Sequence, residues 1–100
     1  MTKLTLAQTL VYEALLEIPK GKVTTYGALG KHINMHPRAV GRLLAWNPEP
    51  DTYPCFKVVA SNGALTGFTL GLEEKVRRLE ADGVEVINEL VPEKYFYFFE

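Results

Sequence analysis

The sequence predicts a mostly α-helical domain with short strands at most, organised around a helix-turn-helix. Three observations carry this prediction. Apolar residues recur at helical spacing near the N-terminus, two short capped helices follow with a tight turn between them, and a proline- and glycine-rich stretch leads into one last charged helix. One hundred residues support a single core and a single domain, 1–100.

Leu6, Leu10, Val11, Ala14, Leu15 and Ile18 share one face of a helix over 6–18, which Pro19 and Gly21 end. Residues 22–25 form an extended link, and Thr25 is placed to cap a second helix, 26–33. Asn34, Met35 and His36 make a tight turn. Pro37 suits the first position of a third helix, 37–46, which Asn47 and Pro48 stop. With Arg38 and Arg42 on its second helix, this pair has the outline of a DNA-binding helix-turn-helix.

From 48 to 71 no helical period survives; 54–60 is predicted as a short extended segment, and Ser61, Asn62 and Gly63 signal a turn. The last helix spans 72–81, with Glu73–Arg77 and Glu74–Arg78 at ion-pair spacing and Gly83 as its C-terminal cap. Its charged run is predicted as a solvated face. Residues 84–87 are predicted as a brief strand. The aromatic tail at 92–100, with its YFYFF run, is expected to pack onto the body of the domain or onto a partner.

The net charge of −1 conceals an asymmetry: +4 up to Asn47 and −5 beyond it. A basic first half offers a face for a polyanion. No apolar run reaches the length of a membrane span, and the N-terminus lacks a signal-peptide pattern. A lone cysteine excludes an internal disulfide and suits a reducing compartment, so the expected location is the cytoplasm, in association with the nucleoid.

Two constellations remain. His32 and His36 stand four apart, but the turn between them breaks the helix face and no third ligand follows, so no metal is expected. Cys55 is either a small buried hydrophobe or a nucleophile. A reactive thiol needs a base, a cation or a helix N-terminus nearby. Lys57, two residues on in an extended segment, is the candidate support for a thiolate.

The order IPKGKVTTYGAL, PRAVGRLLAWNPEP, YPCFKVVASNGALTGF and GLEEKVRRLEADGV resembles the C-terminal DNA-binding domain of O6-alkylguanine-DNA alkyltransferases and their alkyltransferase-like relatives, over about 6–83. The resemblance implies a small winged-helix-like domain. It implies double-stranded DNA carrying an alkylated guanine as partner, with nucleotide-excision repair proteins downstream, no separate cofactor and a monomer. It implies that Arg38 is the finger that fills the place of a flipped nucleotide, that Tyr26 helps to rotate the target and that Asn47 braces the turn after the recognition helix. It also places Pro54, Cys55, Phe56, Val58 and Thr69 around the lesion pocket, with the carbonyls of Cys55 and Val58 reading the guanine amine. Thr25, Ala39, Gly41 and Arg42 belong to the DNA-binding face.

The departures from the family pattern concern the chemistry. Active alkyltransferases read Pro-Cys-His-Arg-Val, and a glutamate orients the histidine that takes the thiol proton through a water. Here Phe56, Lys57 and Asp82 stand at those three positions. Losing general-base help removes about 10²–10⁴ in rate without forbidding transfer. Three functions stay open: a lesion binder with weak or no alkyl transfer, a suicide alkyltransferase with Cys55 as acceptor, and a helix-turn-helix protein that binds DNA without regard to lesions.

Overall fold

The computed structural model describes residues 4–66, 68 and 70–99. Helix α1, Leu6–Leu15, starts at a reciprocal cap. The Gln8 amide donates to Thr5 Oγ1 (3.1 Å) and the Thr5 amide to Gln8 Oε1 (2.8 Å). It buries Val11, Tyr12, Ala14 and Leu15. The helix is three residues shorter than predicted, because the chain tightens after Leu16 and the Ile18 amide donates to the Leu15 carbonyl at 3.2 Å. Ile18 stays buried, so the apolar period outlasts the helical hydrogen bonds.

Strand β1, Thr24–Thr25, runs into α2, Tyr26–Ile33, and Thr25 Oγ1 accepts the Ala28 amide at 3.0 Å as its cap. Asn34 ends α2 in the left-handed region (φ 57°), and α3, Pro37–Ala45, begins three residues later. Its cap is His36, whose Nδ1 accepts the Arg38 amide at 3.1 Å. The turn is tight because Gly30 has no side chain: a Cβ there would lie 2.3 Å from the Met35 carbonyl oxygen.

Residues 54–60 begin as a 3₁₀ turn, Cys55–Lys57, where the sequence predicts an extended segment throughout. Only then does the chain enter strand β2, Val58–Val59, which pairs in parallel with β1, Thr24 opposite Val58 and Thr25 opposite Val59. The turn is closed locally, since the Lys57 amide donates to the Pro54 carbonyl (3.1 Å) and the Val58 amide to that of Cys55. Helix α4, Leu72–Ala81, follows. The predicted strand at 84–87 does not form; Ile87 instead makes a tight bridge to Leu90.

Two apolar clusters result. One joins Val11, Leu15, Leu29, Val40, Leu44, Cys55 and Val58, and the other joins Val23, Val59, Leu79, Val84 and Val91. The aromatic tail docks on the domain as expected. The Val23 amide donates to the Tyr95 carbonyl (2.8 Å), the Tyr97 amide to the Val23 carbonyl (2.7 Å), and Phe99 stacks on His32 at 4.3 Å.

Candidate nucleic-acid interface

Helix α3 buries Val40 and Leu44, holds Ala39 and Gly41 half-buried, and exposes Arg38 and Arg42. Between Ile18 and Pro48 the chain has no acidic residue, while Lys20, Lys22, Lys31, Arg38 and Arg42 are basic. Tyr26 lies beneath this helix; a Cβ on Gly41 would meet its ring at 3.8 Å, an ordinary contact. The Tyr26 hydroxyl makes a short hydrogen bond with Thr66 Oγ1. Thr25 is buried and its hydroxyl is committed to capping α2.

Behind α3 the chain turns sharply, and Asn47 braces the turn. Its Nδ2 donates to the Tyr53 carbonyl (2.8 Å), and its Oδ1 accepts the Glu49 amide (2.9 Å). Tyr53 stacks on Tyr12, ring centroids 5.2 Å apart, and the Tyr12 hydroxyl donates to the Leu43 carbonyl at 2.7 Å. These contacts fix the path into Pro54, which is half-buried, and Cys55, which is 6 % exposed. Burial pushes the Cys55 thiol above its ordinary pKa. A hydrogen bond from Asn47 and the charges of Lys75 and Arg78 pull against it and do not overcome it.

Lys57 is not the support for the thiol that the sequence predicts. The 3₁₀ turn sends its side chain inward, where Nζ pairs with Asp82 Oδ2 (3.0 Å) and donates to the Pro19 carbonyl (2.8 Å). Asp82 also accepts the Gly21 amide at 2.9 Å. Phe56 packs with the second cluster, whereas Cys55 belongs to the first. The Phe56 ring lines an open groove of about 430 Å³ with Lys20, Asp51, Arg77, Arg78 and Asp82.

The cation next to the thiol is Lys75, on the helix predicted to be a solvated face. It is 1 % exposed, and its Nζ donates to the carbonyls of Val58 (2.9 Å) and Thr66 (3.3 Å). Burial lowers its pKa to about 8. The signal was in the sequence: Leu72, Lys75, Val76 and Leu79 follow the i, i+3, i+4, i+7 pattern of an apolar stripe. Arg78 binds Glu74 (2.7 Å) as its spacing predicts, and its second partner, Asp51 (2.8 Å), which the sequence did not disclose, ties α4 to the loop before the cysteine. The predicted Glu73–Arg77 pair is replaced by Glu74–Arg77 at 2.5 Å. Thr69 lies outside the described residues.

A family model described as the DNA-binding domain of 6-O-methylguanine DNA methyltransferase matches residues 7–84. The chain belongs to this family. It is 41 % identical over 90 residues to a bifunctional methyltransferase/endonuclease of Picrophilus torridus, covering 88 % of this chain and 30 % of that one. It is 49 % identical over 73 residues to a methylated-DNA–protein-cysteine methyltransferase of Methanopyrus kandleri, covering 73 % and 55 %. The chain thus spans between about a third and about half of these two curated relatives. Among solved structures, S. pombe Atl1 in complex with damaged DNA containing O6-carboxymethylguanine superposes with a TM-score of 0.83 at 28 % identity. That match covers 96 % of this chain and 98 % of Atl1. The O6-methylguanine-DNA methyltransferase of Pyrococcus kodakaraensis gives 0.76 at 43 % identity, covering 81 % and 48 %.

Proposed function

We propose that this domain binds damaged DNA, takes an O6-alkylated guanine out of the duplex and holds it beside Cys55, with little or no alkyl transfer. One observation carries the reading: the thiol is buried, its pKa is pushed up, and the residue after it is a phenylalanine that can accept no proton. At neutral pH such a sulfur is overwhelmingly a thiol, and the thiolate is the nucleophile. The near end-to-end match to Atl1 in its complex with damaged DNA supports the same reading.

In this proposal α3 enters the minor groove and Arg38 fills the gap left by the guanine, which offsets an unstacking cost of a few kcal/mol. Tyr26, held by Thr66, stands at the pocket wall. The Cys55 carbonyl accepts the Val58 amide and the Val58 carbonyl accepts Lys75 Nζ. In this reading each oxygen turns a second lone pair to the guanine amine. The domain acts as a monomer in the cytoplasm and leaves the marked lesion to other repair proteins, nucleotide-excision repair being the expected recipient.

A second reading, an irreversible acceptor, is favoured by Lys75, Arg78 and Asn47, all of which act to lower the thiol pKa. There Cys55 first gives its thiol proton to solvent, the sulfur bonds to the alkyl carbon as the carbon–O6 bond breaks, the electron pair stays on O6 and the guanine anion takes a proton from water. The test is incubation with a duplex carrying one O6-methylguanine, followed by binding isotherms and intact mass. Lesion-selective binding without a mass increase supports the binder, and Phe56→His should then confer transfer that Cys55→Ala abolishes. A methyl adduct on the unaltered chain within minutes favours the acceptor. Equal affinity for damaged and undamaged duplex with no adduct defeats both, and undiminished binding by Arg38→Ala overturns the assignment of Arg38 as the finger.

A further inference from the structure

Arg38, Arg42, Ala45 and Trp46 are all exposed on α3. At about 100° per residue they share one sector of the helix, opposite Val40 and Leu44. Trp46 belongs to this stripe because its amide still donates to the Arg42 and Leu43 carbonyls, each at 3.2 Å. Its side chain is 73 % exposed, and it is the chain's only tryptophan. A single exposed apolar residue is unremarkable by itself. This one, however, extends a row of arginines within a stretch, Ile18 to Pro48, that has no acidic residue. Such a row attracts a polyanion, and the family to which the chain belongs makes that polyanion DNA.

Building on the proposed function, we infer that Trp46 is a DNA contact: its ring lies against the sugar–phosphate wall of the groove, beyond the flipped guanine. The indole offers a flat apolar face to deoxyribose and an N–H donor to a phosphate oxygen. Eight residues at about 1.5 Å each separate it from Arg38 by roughly 12 Å. That is roughly three to four base pairs at about 3.4 Å per step. The contact therefore lies outside the lesion and adds affinity without selectivity, in contrast to Arg38.

The lone tryptophan is its own probe. Binding of a fluorescein-labelled duplex, with and without one O6-methylguanine, is followed by anisotropy while indole emission and its quenching by iodide are recorded separately with unlabelled duplex. The expected result is a change in emission and protection from iodide that saturate with binding. Trp46→Ala weakens both duplexes by the same factor, about tenfold, and Trp46→Tyr restores most of the loss. Binding that leaves emission and iodide access unchanged overturns the inference while sparing the proposed function; absence of any binding defeats that function itself. Emission that changes with protein concentration alone assigns the residue to self-association and overturns the DNA contact. A loss confined to the damaged duplex also overturns it.

Discussion

Lys75 is an ammonium on the apolar side of α4, and its cost and its use come from the same burial. Two carbonyls accept its protons, and the thiol of Cys55 shares its electrostatic surroundings. Its folded pKa is about 8, against an ordinary 10.5. Between those values the unfolded chain binds a proton that the folded chain does not, so stability rises with pH across that window. Below about pH 8 the lysine is charged in both states, and the penalty for burying it is complete. Urea denaturation of the wild type and of Lys75→Met from pH 8 to 10.5 should show the wild type gaining relative to the variant, by at most about 3 kcal/mol. Tyr12, whose pKa is raised, loses stability at high pH in both proteins and cancels in the difference, and Cys55, which is coupled to Lys75, is taken out of the comparison by making it in a Cys55→Ala background. Parallel curves would show that the lysine is not held in a desolvated site. This residue also marks the limit of what sequence disclosed about the site. The brace at Asn47 was legible because its motif is local, whereas the cation that acts on the thiol comes from a helix twenty residues away. Lys57 misled because alternation assumes an extended chain, and a 3₁₀ turn rotates its side chain towards Asp82 instead.

At the scale of elements, α2, its turn and α3 form a unit whose angle is set by one missing side chain. The Met35 amide donates to the Gly30 carbonyl at 2.7 Å, and the Met35 carbonyl crosses directly over the Gly30 α-carbon. A methyl group at Gly30 must displace backbone, with no flexible neighbour to yield. Gly30→Ala should therefore cost about 1–3 kcal/mol, seen as a lowered thermal midpoint. It should also weaken DNA binding measured well below that midpoint, because α3 shifts against Tyr26. Unchanged affinity in the folded variant would mean that the angle between the helices does not matter for binding. The helices were legible because caps and period agree: Thr25, Asn34 and Pro37 each stand where their chemistry places a boundary. The short pieces were not. Two-residue strands have no period to detect, and β2 exists because β1 lies beside it. The predicted strand at 84–87 found no such neighbour and became a bridge between Ile87 and Leu90.

For the whole molecule, the separation of charge along the chain becomes only in part a separation in space, which salt can test. Five cations lie between Ile18 and Pro48, but they do not share one surface. Lys20 lines the groove with Phe56, Asp51 and Asp82, and the Lys22 ammonium donates to the Lys94 carbonyl at 3.2 Å. Arg38 and Arg42 remain on the exposed stripe of α3, with Lys31 on α2. Each phosphate neutralised contributes about −0.9 to the slope of log affinity against log salt. Two or three contacts therefore predict a slope of about −2 to −3, shallow for a DNA-binding protein. Arg42→Ala should flatten it by about one unit. Lys20→Ala should leave it unchanged, because Lys20 lines the groove beside α4 and not the exposed stripe of α3. Isotherms over a range of salt concentrations decide the matter. A slope unaffected by Arg42→Ala but flattened by Lys20→Ala would put the duplex on the groove beside α4 and remove α3 from the interface.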